Sequence, residues 1–169
     1  MPHSPTLRAL CLLLPLLLGG CGRWQPYVFA HGNVSVSTPP GVAFDCHDQN
    51  VPYASEARMC LAQSGDSNLM TISLEFAQQV DQGQLDMAFA NMENIMEQDG
   101  RGKIVSSIAL TVDGARAKDI VAQTASGKQS GRIMYHAGYL VLAAAWPKAG
   151  EGNQKEIDRF VTSLKPRAK

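Results

Sequence analysis

Fold possibilities are narrowed most by Tyr139 to Trp146, an almost wholly apolar run that closes a series of four extended segments separated by Gly-bearing turns. In the first segment Ile104, Ile108, Leu110 and Val112 alternate with polar or small residues, the period of a half-buried strand. Asp113-Gly114 supplies the residue pair favoured in a two-residue type I′ hairpin. Ala115 to Thr124 returns, Ser126-Gly127-Lys128 turns, Gln129 to His136 runs out and Ala137-Gly138 turns again. The whole reads as an antiparallel meander whose last strand is central or covered on both faces. A tight turn at Asp113-Gly114 puts Asp119 on the core face opposite Ile108. An unpaired buried carboxylate is costly, so a bulge before Asp119 or a place at the sheet margin is expected, with pairing to a base such as Arg132 as the alternative.

Two amphipathic helices accompany the sheet. From Gln84 the period changes to that of a helix, with Leu85, Ala88, Phe89, Met92, Ile95 and Met96 on one face and an end near Gly100. Near the C-terminus Asn153 and Glu156 make a capping-box-like start for a second helix, whose stripe of Ile157, Phe160, Val161 and Leu164 runs until Pro166. Before the first helix, Val34 and Val36 alternate with serines and Pro39-Pro40-Gly41 stops the strand. Val42 to His47 is a second extended piece. Gln49 to Ala57 reads as a loop, and Arg58 to Gln63 and Leu69 to Ala77 form a hairpin about Gly65-Asp66-Ser67-Asn68. The expected class is α+β: an antiparallel sheet of N-terminal strands plus the four-strand meander, packed with two helices.

The beginning of the chain reads as an export signal. Arg8, an apolar run ending at Leu18 and the small residues Gly19-Gly20 are its three parts, and the run is shorter than the roughly 20 residues that span a bilayer. Leu18-Gly19-Gly20-Cys21 resembles the bacterial lipoprotein signal, which implies lipidation of Cys21 as the mature N-terminus and firm membrane attachment by two or more acyl chains. Gly22 is not the aspartate associated with inner-membrane retention in the enteric pattern, so the expected location is the outer membrane facing the periplasm. Residues 1–20 are then signal, 21–33 the lipidated end and a short tether, and 34–166 one domain, since 149 mature residues suit a single core. Trp24 either rests at the membrane interface or caps the domain. Cys46 and Cys60 remain, and in an exported protein they are expected to join. A metal site at Cys46 and His47 is disfavoured because adjacent strand residues point to opposite faces.

Mature formal charge is −1, since only Arg8 leaves, which argues against a nucleic-acid binder. The charge is polarised: ten carboxylates and one base, Arg58, lie between Asp45 and Asp99, and seven bases with two acids between Gly100 and Lys148. Asp86, Glu93 and Glu97 fall together on the polar side of the first helix. A solvated face explains them, and a docking row for a basic protein partner is the functional alternative. No hydrolase, phosphate-loop or zinc-protease motif is present. His31, His47 and His136 are scattered. No catalytic residue, metal ligand or cofactor is therefore expected.

The order of strands, helix, meander and closing helix resembles the PsbP-like fold, found in photosystem extrinsic proteins, small bacterial lipoproteins and secretion chaperones. Gly131 to Leu142, Trp146-Pro147 and Phe160 to Leu164 carry the resemblance, which spans about Leu69 to Leu164. It implies a scaffold for binding proteins or envelope components without a common enzymatic activity. The expected function is a lipid-anchored, non-catalytic binding or adaptor module. A periplasmic immunity protein that inhibits a secreted toxin is the alternative, and a hydrolase with an unrecognised site the third.

Overall fold

The computed structural model describes residues 22–99, 102–150 and 152–167; the expected signal and Cys21 lie outside the described residues. In chain order the elements are β1 (Gln25–Phe29), β2 (Val34–Thr38), β3 (Asp45–Asp48), β4 (Ala54–Ser64), β5 (Ser67–Phe76), α1 (Gln82–Asp99), β6 (Lys103–Val112), β7 (Ala115–Thr124), β8 (Gly127–His136), β9 (Tyr139–Pro147), α2 (Gln154–Thr162) and β10 (Lys165–Pro166). Seven strands form an antiparallel sheet in the order β3-β4-β5-β9-β8-β7-β6, and β1-β2-β10 form a small second sheet. The architecture is α+β, as the pattern of the sequence requires.

β9 is the middle strand of the seven, which explains its lack of a polar face. Its pleat sends Leu140, Leu142 and Ala144 to one side and Tyr139, Val141, Ala143 and Ala145 to the other, none more than 6% exposed. α1 covers the first side with Leu85, Ala88, Phe89, Met92 and Met96. Ile157, Phe160, Val161 and Leu164 of α2, together with the small sheet, cover the second. Each fully buried Leu, Ile or Phe contributes about 1.5–3 kcal/mol against an exposed one. Gly131 on β8 lets α1 approach closely, since a Cβ there would stand 2.5 Å from Met96 Sδ.

Turn chemistry follows the sequence. Asp113-Gly114 and Ala137-Gly138 each place two residues in the left-handed region, as type I′ hairpins demand. Asn153 Oδ1 accepts from the Glu156 N–H at the start of α2, and the Glu156 carboxylate accepts from the Asn153 side-chain amide and from Ser64 Oγ.

Four features differ from the expectations. Residues 25–29, expected within the tether, form β1 and pair along β2 from Gln25↔Thr38 to Phe29↔Val34. The segment lacks clean alternation and contains Pro26, yet Tyr27 and Phe29 pack against the core. Trp24 takes the second of its two expected places, packed on the domain with the Arg159 guanidinium 4.3 Å from its ring centroid. β2 joins the small sheet instead of the large one, and β10, formed after α2, closes its other edge.

No bulge precedes Asp119. It pairs with Ile108 in the tight register, and Arg132 directly across on β8 donates to both of its carboxylate oxygens, at 2.6 and 2.8 Å. A third Arg132 donor reaches the Thr162 carbonyl in the last turn of α2, so one guanidinium joins the sheet to the negative end of a helix. The bulge lies instead between Ile104 and Ser106.

Candidate functional site

Hairpin register builds the most polar cluster on the large sheet. Ser64 pairs with Ser67 across the Gly65-Asp66 turn, and despite one irregularity near Ala54 this register sets Glu56 opposite Glu75. Glu75 is in turn opposite Tyr139 of β9, and Tyr139 is opposite His136 of β8. Paired residues share a face, so Glu56, Glu75 and Tyr139 form a transverse row on the side covered by the small sheet and α2. Like charges directly opposite one another on neighbouring strands repel.

Three groups answer that repulsion. Ser55 Oγ donates to the Glu75 carboxylate at 3.0 Å. Tyr139 is 6% exposed, and its phenol is pushed up to about 12 first by burial and then by the neighbouring Glu75 and Glu56 carboxylates. The third is His31, whose Nε2 lies 2.5 Å from Glu56 Oε2. It arrives from the β1–β2 turn, in which Ala30, His31 and Gly32 all have positive φ, 54°, 50° and 86°. Non-glycine residues seldom adopt that conformation. The turn carries His31 over the sheet, its ring 5.8 Å from that of Tyr139. Ligand atoms of His31, Glu56 and Glu75 all lie within 4.8 Å of one another. A cavity of about 220 Å³ adjoins His31 and Glu56, bounded by Tyr27, Arg58, Thr71 and Ser73 among others.

Cys46 and Cys60 are bonded, with Cα atoms 4.0 Å apart in a direct β3–β4 pair. Closing this loop stabilises the fold by roughly 3 kcal/mol in the chain-entropy model. Tyr27 lays its hydroxyl on both sulfurs, at 3.3 and 3.5 Å, and it must be the donor because disulfide sulfur has no hydrogen. Burial raises the Tyr27 phenol, with Arg58 pulling the other way. His47 turns to the opposite face, where its Nε2 is 3.3 Å from Asp45, so it shares nothing with Cys46.

The carboxylates of α1 do not form a free solvent row. Asp86 accepts from Arg116 of β7, which holds its carboxyl below the usual range, and Glu93 lies 3.1 Å from Lys118 Nζ and accepts from Ser107 Oγ at 2.5 Å. Glu97 accepts from the Ile104 N–H at 3.0 Å. Arg116 also stacks over Phe89, 4.9 Å from its centroid. Asp86 and Glu93 thus pair with bases of the second half, and with Glu97 they dock α1 on β6 and β7.

An uncharged cleft of about 460 Å³ opens on the α1 side, where β5 leads into the helix. Pro52, Tyr53, Phe76, Val80, Met87 and Ala88 provide its apolar surface, and Gln78, Gln79, Gln84 and Asn91 its polar rim. Tyr53 is 49% and Met87 62% exposed. Neither the cleft nor the His31 cluster was anticipated. A two-residue turn at Gly65-Asp66 would have exposed the Glu56–Glu75 opposition, but Tyr139 and His31 join through pairings distant in sequence.

No protein-family model and no curated protein sequence matches the chain. Among solved structures, the fold is similar to that of cyanobacterial PsbP (CyanoP) from Synechocystis sp. PCC 6803, with a TM-score of 0.61 over 88% of this chain and 96% of that one. At 13% identity the likeness establishes a PsbP-like fold.

Proposed function

We propose that the chain is a non-catalytic binding module, held at the cell envelope by lipid on Cys21, and that it engages an envelope protein through the cleft between β5 and α1. The observation that carries this reading is the cleft itself, with Tyr53 49% and Met87 62% exposed beside the ring of Phe76. Methionine and aromatic side chains of this kind are enriched where proteins meet, methionine because it repacks against varied shapes. The PsbP-like fold supports a scaffold that binds instead of reacting.

Anchor and cleft are compatible in space. Trp24 lies three residues after Cys21, a reach of about 10 Å, so lipid on Cys21 would hold the domain close to the bilayer. Trp24 packs with the small sheet and α2, whereas the cleft is on the α1 side of the large sheet. The cleft therefore points away from the anchored layer, toward the periplasm in the outer-membrane reading. Because its lining is uncharged, the partner supplies an apolar segment and association varies little with salt.

Two substitutions test the reading. Wild type should take up a fatty-acid analogue and sediment with membranes, and Cys21→Ala should do neither; an unlabelled wild type removes the anchor. Met87→Asp would force a charge into the occupied cleft, so recovery of the partner from solubilised envelopes should fall at least about tenfold. Recovery indifferent to that change removes the cleft.

A further inference from the structure

We propose that His31, Glu56 and Glu75 form a binding site for one divalent transition-metal ion, with Zn²⁺ the ion their donor set fits. This inference goes beyond the binding-module reading and does not rest on it. The three residues come from the β1–β2 turn, β4 and β5, so the site exists only in the folded chain. Their ligand atoms already lie within 4.8 Å of one another, a separation that small side-chain rotations convert to a shared ion. One imidazole nitrogen and two carboxylate oxygens suit Zn²⁺ better than Ca²⁺ or Mg²⁺, which take oxygen alone. Three protein ligands leave a position facing the adjoining cavity for water or for a ligand atom from elsewhere.

Independent of that proximity, the pairing of the strands creates a demand for a cation. Glu56 and Glu75 are direct cross-strand neighbours, a placement that costs stability when both are ionised. The nearest guanidinium, Arg58, is held by Asp48 at 2.9 Å, and among the described residues neither glutamate has a Lys or Arg within ion-pair distance. Tyr139, the next member of the row, is buried beside Glu75, and Ser55 Oγ donates to the Glu75 carboxylate at 3.0 Å. His31 supplies the imidazole that faces the pair, its Nε2 2.5 Å from Glu56 Oε2.

The test is calorimetric titration of the chelator-treated, full-length protein with Zn²⁺, with unfolding temperatures measured alongside. One Zn²⁺ should bind per chain, and it should raise the unfolding temperature. His31→Ala, at an exposed position, should weaken binding at least about tenfold, and His47→Ala should not. Glu75→Gln keeps the acceptor for Ser55 while removing one of the opposed charges. It should leave the metal-free protein as stable as wild type or more so, yet weaken Zn²⁺ binding, a pair of changes that a merely structural glutamate would not produce. Absence of binding at millimolar Zn²⁺, or stoichiometric binding that survives His31→Ala, overturns the proposal.

Discussion

Tyr139 has a neutral phenol set against two carboxylates, and this makes its protonation a reporter of the folded state. In the unfolded chain it ionises near the ordinary tyrosine value of about 10, and in the folded chain at about 12. Between those values the unfolded state has lost a proton that the folded state keeps, so stability falls as pH rises through that window. Urea midpoints at roughly pH 9 and pH 11.5 should fall more in wild type than in Tyr139→Phe. A parallel fall in the two proteins would show that the fold does not hold Tyr139 neutral. Asp119 belongs to the same scale. Its position opposite Ile108 follows from the Asp113-Gly114 turn alone, but a sequence does not reveal that β8 presents Arg132 at the matching register. The sequence favours a bulge or the sheet margin and leaves pairing with Arg132 as the alternative, and it is that alternative the structure takes, as a bidentate pair.

At the scale of elements, periodicity and turn chemistry made most of the structure legible. The meander, both helices and the centrality of β9 follow from apolar spacing, Gly-bearing turns and the absence of a polar face. β1 did not, because Gln25-Pro26-Tyr27-Val28-Phe29 carries no clean period and is recruited by pairing with β2. The acidic side of α1 was legible as a cluster but not as an interface, since Arg116 and Lys118 reach it from a strand about thirty residues away. That difference reverses an expectation about stability. If Asp86, Glu93 and Glu97 were solvated, replacing them by Asn and Gln would leave the fold intact or relieve repulsion between residues four apart. Since they are paired to β6 and β7, the triple substitution should lower the unfolding temperature, and Glu93→Gln alone should cost about 0.5–1 kcal/mol. The deficit should shrink as salt is added. Thermal melts of the triple variant at low and high salt check this; an unchanged or raised melting temperature would return those side chains to solvent.

Across the whole molecule, both faces of the large sheet are covered among the described residues, and two ion pairs there, Arg116–Asp86 and Lys118–Glu93, join the acidic half of the chain to the basic half. What remains outward as a concave, uncharged surface is the cleft at the β5–α1 junction, on the side away from Trp24. Composition could not reveal it, because Tyr53, Phe76 and Met87 are dispersed in sequence and converge only when β5 turns into α1. The account rests on that cleft being where a partner sits. Its most direct measurement is photo-crosslinking in intact cells, with a photoreactive residue placed at Met87 in one strain and at Val105 in another. Val105 is equally exposed, at 62%, but lies on the far edge of the sheet, on β6. A discrete adduct with an envelope protein from position 87, undiminished by salt and absent from position 105, is the predicted result; no adduct from position 87, or the same adducts from both positions, would contradict it.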